Sequence, residues 1–224
     1  MIDKNKIPCV VGSTGLVGSH LINVLSKIYP EVISVTRVKD DYSFPSVKNV
    51  IIDFDNIKNE NIFNNNNHLY IALGTTRKKA GSDQNFIKVD YDYCMDLANN
   101  ALLNGVKRVS IISSVGSNPN SNLLYPRTKG LLEKELSKLS FEHVSVMKPS
   151  FILGKRKETR IAEKMGKFLF SLINPFLFGG LMKYKSIHAK DIANAMVHQI
   201  ISGNNSFNQL EYKELMKCSK KIKL

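Results

Sequence analysis

The chain has 224 residues, 43% of them apolar, which is enough to bury one substantial core, so a single domain over 1–224 is expected. The net charge of +13 sits on dispersed lysines, clustered only at 77–79, 155–160 and 217–223. With no helix-turn-helix, RNP-type strand or zinc-finger spacing beside it, this charge reads as a solvated surface and excludes specific nucleic-acid recognition.

The first twelve residues, MIDKNKIPCVVG, carry charge and no apolar leader, and a cytoplasmic protein is expected on that ground. The run 7–11 reads as a short buried strand closed by Gly12, Gly15 and Gly18. Glycine at these places permits a sharp turn, close approach of backbone to a pyrophosphate, and tight packing of the next helix on the strand. The helix N-terminus supplies amides and positive dipole. Residues Gly12, Ser13, Thr14, Gly15, Leu16, Val17 and Gly18 are therefore the candidate dinucleotide loop, spaced GxxGxxG.

Beyond it, Leu21, Val24, Leu25 and Ile28 share one face of a helix over 16–28. Short Val- and Ile-rich runs recur at 32–38, 47–52, 69–73, 106–113 and 144–147, with crossover-length segments between several of them. That alternation predicts an α/β fold, a doubly wound parallel sheet of the Rossmann type. The tract 64–67 reads as a surface loop, and helices are expected over 86–103, 125–139 and 189–201, the last stopped by Gly203. Residues 155–186 show no βαβ rhythm and are expected to form a substrate cap. Within and near them, the apolar stretch 168–182 is broken by Asn174, Pro175, Gly179 and Gly180 and is too short for a transmembrane segment. Cys9, Cys94 and Cys218 lie far apart, and neither they nor the five histidines have metal-ligand spacing, so no metal is expected.

The second strand ends at Thr36-Arg37, where an acidic residue would bind the 2′-hydroxyl of NAD. Arginine pairs instead with a 2′-phosphate, which favours NADP(H); the alternative is that Asp40 or Asp41 reaches the ribose. Ser113 and Ser114 end the fifth run, and YPRTK follows, with Tyr125 and Lys129 four apart on one helical face. Pro126 fits a first helical turn. This set suggests Tyr125 as general acid/base, Lys129 as its electrostatic partner and ribose ligand, and Ser114, in preference to Ser113, as donor to a substrate oxygen. Glu133 and Glu135 read as partners of surface lysines, His188 as a structural or pocket residue, and Asp90 and Tyr93 as either surface or helix-contacting groups.

Glycine loop, strand-end serine and YxxxK together resemble the short-chain dehydrogenase/reductase superfamily in its atypical or extended branch. The runs from Leu73 (LGTTRKKAGSDQNFIKVDYDYC), Tyr125 (YPRTKGLLEKELSKLSF) and Lys148 (KPSFILGKRKETR) are similar to the oxidoreductases related to the Tat-interacting protein. The resemblance implies NADP(H) bound by the 12–18 loop and Arg37, with Leu73, Gly74 and Thr75 lining the groove. It also implies Asp53 and Phe54 beside the adenine, and Lys148, Pro149 and Ser150 at the carboxamide. The expected activity is an NADP(H)-dependent oxidoreductase acting on a small carbonyl or alcohol, with pairing into a homodimer through 86–103 and 125–139. The alternatives are an NADP(H)-binding regulatory module without turnover, using 168–182 and the basic tail from Lys213 as docking surfaces, and a sugar-nucleotide epimerase, which the short region after 150 disfavours.

Overall fold

In a computed structural model of the protein, residues 2–154 and 177–222 are described. Seven parallel strands form one sheet in the order β3-β2-β1-β4-β5-β6-β9, comprising β1 (Ile7–Val11), β2 (Val32–Thr36), β3 (Val47–Ile51), β4 (Asn67–Ile71), β5 (Arg108–Ile112), β6 (His143–Met147) and β9 (Phe207–Leu210). The central strands are buried on both faces, which is why they read as continuous apolar runs. Ile7 to Val11 of β1 run beside Asn67 to Ile71 of β4, while β2 flanks β1 on its other side. The order in which strands are added reverses between β1 and β4, β2 and β3 lying on one side and β5, β6 and β9 on the other, and this switch point opens a crevice at the carboxyl edge.

Helices cover both faces. On one, α1 (Leu16–Ile28), α6 (Ala189–Ser202) and α7 (Tyr212–Ser219) bury Leu21, Leu25, Ile192, Met196 and Leu215 against Tyr70 and Met147. On the other, α4 (Tyr93–Leu103) and α5 (Leu124–Leu136) bury Leu97, Ala98, Ala101, Leu132 and Leu136 against Leu69, Val109 and Val146. The short helices α2 (Arg77–Ala80) and α3 (Asp83–Ile87) precede α4, and a π-helical turn (Lys88–Asp92) joins α3 to α4. A separate parallel pair, β7 (Ile152–Leu153) and β8 (Ile187–His188), lies beyond the end of β6.

Two sequence expectations change here, and a third lies outside the described residues. Asn67 belongs to β4: it is buried, and its amide Nδ2 donates to the Ile7 carbonyl at 3.1 Å, tying β4 to β1. The basic tail from Lys213 is a helix whose Leu215 and Cys218 pack under α6, with Gln199 Nε2 donating to Cys218 Sγ at 3.2 Å. It is therefore built into the core. The proposed cap at 155–186, and with it most of 168–182, falls largely on residues 155–176, outside the described residues.

Candidate active site

The groove at the switch point, about 1110 Å³, starts from the glycines. Gly12 has φ +83°, and a Cβ there would lie 2.7 Å from the Ala72 carbonyl, so the loop passes β4 in near contact with its backbone. A Cβ on Gly18 would lie 2.0 Å from the Gly12 oxygen, so only glycine lets α1 sit this close to the loop. Gly15 is the N-cap of α1 and offers no side-chain acceptor, leaving the first-turn amides to a ligand at the groove wall formed by Gly12, Thr14, Gly15, Leu16 and Val17. A cradle that a Cβ would fill, at an uncapped helix start, fits a dinucleotide diphosphate.

Arg37 follows β2 directly and lines the same groove. Neither rival carboxylate does: Asp40 donates its backbone amide to Asn49 Oδ1, and Asp41 lies 3.9 Å from Lys39 in the exposed loop. The opposite wall is Leu73, Gly74 and Thr75 after β4, with Lys88, Asp90 and Tyr93 of the π turn and α4 beside them. Pro149 and Ser150 close the far end, next to Ser113, Tyr125 and Lys129.

One face of α5 sets the chemistry at intervals of four residues. Tyr125 is 46% exposed, its ring 5.9 Å from that of Phe86. Lys129 is buried, with Nζ 2.8 Å from Asp90 Oδ1; the other oxygen, Oδ2, accepts the Thr75 amide at 2.7 Å. Burial alone would lower the Lys129 pKa, but Asp90, joined by Cys94 and Tyr125, outweighs it and holds the ammonium above its ordinary value. Glu133, next along the face, is also buried and ion-paired: Lys148 Nζ donates to its Oε2 at 3.0 Å and to Gln209 Oε1 at 3.2 Å. Its Oε1 accepts the hydroxyls of Ser113 and, at 2.5 Å, Ser117.

Several expectations are redirected by this geometry. Ser113 lines the groove and spends its proton on Glu133, whereas Ser114 donates to the Val115 carbonyl at 3.1 Å and is not part of the lining. Ser13 is buried with its hydroxyl turned away from the groove, so it contributes backbone only, and Gly18 acts by packing. Asp53 caps the 3-10 turn Phe54–Asn59 by accepting the Asp55 amide at 2.9 Å; Phe54 is buried edge-on to Tyr93. Both lie beside the groove and outside its lining. Lys148 supports Glu133 and likewise stays out of the lining, and exposed His188 does the same. Sequence reasoning missed the buried partnership of Asp90 with Lys129 and read Glu133 as a surface group. The one available signal was their register, since Lys129 and Glu133 follow Tyr125 at helical spacing.

Fold and groove together are those of a nucleotide-binding Rossmann protein of the short-chain dehydrogenase/reductase type. The NAD dependent epimerase/dehydratase family model matches residues 9–209, and the chain belongs to that family. Protein FMP52, mitochondrial, from Candida albicans is 33% identical over 205 residues, 88% of each chain. Protein HTATIP2 from Rattus norvegicus is 28% identical over 225 residues, covering 97% of this chain and 90% of its own, in line with the resemblance to Tat-interacting-protein relatives. Among solved structures, a UDP-N-acetylglucosamine 4-epimerase from Methanobrevibacter ruminantium superposes with TM-score 0.68 at 16% identity, covering 93% of this chain and 77% of that one. MoeE5 in complex with UDP-glucose and NAD gives 0.64 at 14%, covering 96% and 81%. These two show the fold.

The expectation of a cytoplasmic protein is corrected. FMP52 proteins from Candida albicans, Candida glabrata, Debaryomyces hansenii and Emericella nidulans are all named mitochondrial. Among the described residues no helix is long and apolar enough to cross a membrane, and no group of three His, Cys, Asp or Glu is placed to hold a metal ion.

Proposed function

We propose that this chain is an NADP(H)-dependent oxidoreductase acting on a small carbonyl or alcohol. The observation that carries the reading is the row Tyr125, Lys129 on α5 at one end of a groove whose other end is the glycine loop. The bound cofactor supplies or accepts the hydride. Tyr125 would give a proton to, or take one from, the substrate oxygen at the open mouth, and Lys129, kept charged by Asp90, would stabilise the tyrosine anion and help hold the cofactor ribose. Arg37, on the groove wall where Asp40 and Asp41 are not, supports NADP(H) over NAD(H). The names of the FMP52 relatives support a mitochondrial location, tested by fractionation.

Tyr125→Phe is expected to lower NADPH oxidation with a carbonyl panel by about 100-fold or more, with NADPH affinity unchanged. Undiminished turnover defeats the mechanism. A second reading, an NADP(H)-binding module without turnover, is favoured by one observation: Ser113 and Ser114 both donate their hydroxyls inside the protein, to Glu133 and the Val115 carbonyl. Tight NADPH binding with silence toward every carbonyl supports this second reading.

A further inference from the structure

Three hydroxyls form a closed ring at the root of the loop that carries Arg37. Ser34 Oγ, in the middle of β2, donates to Ser13 Oγ at 2.7 Å. Tyr42 OH lies 2.9 Å from Ser13 Oγ and 2.5 Å from Ser34 Oγ. Each hydroxyl thus has the other two within hydrogen-bond reach, and the Asp40 carboxylate faces the Tyr42 hydroxyl as a further acceptor, an arrangement in which each bond polarises the next. Ser13 and Ser34 are fully buried, and the Tyr42 ring packs against the α1 side of the core.

The position of the ring gives it consequences. Ser13 belongs to the glycine loop, between Gly12 and the groove-lining Thr14. Tyr42 lies five residues beyond Arg37, in the β2–β3 connection. One side chain therefore fastens the segment bearing the guanidinium to the segment bearing the diphosphate amides. A second fastening lies on the other side of Arg37. Asn49 Nδ2 donates to the Ser34 carbonyl at 3.1 Å and to Thr36 Oγ1 at 2.8 Å, and its Oδ1 accepts the Asp40 amide at 3.0 Å. Thr36 Oγ1 in turn donates to the Val38 carbonyl at 2.7 Å. Residues 36, 38, 40 and 42 are thus each tied down, while Arg37 itself is left facing the groove.

We propose that Tyr42 is a positioning residue for cofactor discrimination: by latching the β2–β3 connection onto Ser13 and Ser34, it holds Arg37 at the distance from the glycine loop that a 2′-phosphate requires. A long arginine on an untethered loop loses rotamer and backbone freedom on binding, and a loop fixed beforehand has less to lose. The latch therefore acts on the ligand that uses the guanidinium and leaves one that uses only the glycine loop almost untouched. The inference rests on the NADP(H) reading.

The test measures NADPH and NADH dissociation constants for the full-length protein, Tyr42→Phe, Arg37→Ala and the double variant. Tyr42→Phe is expected to weaken NADPH about fivefold to tenfold and NADH less than twofold. In the Arg37→Ala background it is expected to leave the NADPH/NADH ratio unchanged, since the latch has nothing left to position. Equal weakening of both cofactors, or an undiminished effect on the ratio without Arg37, overturns the latch and leaves the NADP(H) reading standing. Equal affinities in the unmodified protein defeat the NADP(H) reading itself, and the latch with it. If Tyr42→Phe folds poorly, Ser34→Ala opens the same ring from beneath, and the same ratio decides.

Discussion

At the carboxyl edge of the sheet, Lys129 rests on Asp90 and Lys148 on Glu133, and Ser113 and Ser117 complete the second carboxylate. At the amino edge, beneath α6, the polar side chains are nearly as buried but far less well matched. Arg108, in register with His143 across β5 and β6, donates to the carbonyls of Gln199 and Gly203. Its Nε, together with His68 Nδ1 and His143 Nε2, has no hydrogen-bond partner among the described residues. One edge holds buried ion pairs around an open groove, and the other holds buried rings and a guanidinium, with the carboxylates that act on them, Asp3 and Glu142, at the exposed rim. The first is suited to fixing charges where a ligand binds; the second responds to protons.

The largest effect is expected from splitting a pair at the groove. Asp90→Ala leaves the Lys129 ammonium buried without its counter-charge and should cost about 3–5 kcal/mol in urea unfolding. Replacing both partners, Asp90→Leu with Lys129→Met, should recover most of that loss, because two apolar groups need no solvation. A double variant as unstable as the single one would mean the site depends on packing and not on charge.

Each edge also has a glycine with no room for a methyl group, which sharpens the contrast. A Cβ on Gly18 meets the Gly12 oxygen at 2.0 Å; one on Gly203 meets His143 Cε1 at 2.3 Å and the Gln199 oxygen at 2.6 Å. Gly18→Ala should destabilise the fold by about 3 kcal/mol and abolish NADPH binding, as backbone meets backbone in the nucleotide loop. Gly203→Ala should cost a similar amount, about 3 kcal/mol, since the Gln199 carbonyl is backbone as well, but with cofactor affinity of the folded fraction intact. A change in NADPH affinity for Gly203→Ala would break the separation of the two edges.

The smallest effect is a pH response centred on the amino edge, with half-buried His20 on α1, lowered by burial and Lys190, outside it. Burial first, then the charges of Arg108 and Lys6, push His68 down to about 4, and burial also lowers His143 and His198. These rings are neutral in the fold and take up protons more readily once unfolded. Their contribution is fully present above about pH 6.5 and is lost as pH falls from there toward 4, on the order of 1–2 kcal/mol. Urea midpoints between pH 8 and pH 5 should show the decline, and His68→Gln should flatten it; an unchanged slope would remove His68 from the account.

How much of this was legible follows from local pattern. Strands β1 to β6 and helices α1, α5 and α6 match their sequence expectations to within a few residues; the interior strands are buried on both faces and leave a Val/Ile-rich run, while the half-exposed edge strand β3, VKNVI, shows through its Val and Ile alone. The edge strand β9, reading FNQL, leaves no such run, and β7 and β8 are two residues each. In α7, apolar positions sit among lysines, so the segment reads as a tail until α6 covers Leu215.

The sequence by itself determined the Rossmann class, the glycine loop, Arg37 at the strand end and the Tyr125–Lys129 spacing, since each depends on backbone geometry or on neighbours within one helical turn. Only the tertiary structure decided that Asp90 belongs to Lys129, Glu133 to Lys148 and Ser113, and Tyr42 to Ser13 and Ser34. Those partners come from separate elements, and a lone carboxylate or hydroxyl has the same local signature whether water or a buried charge meets it.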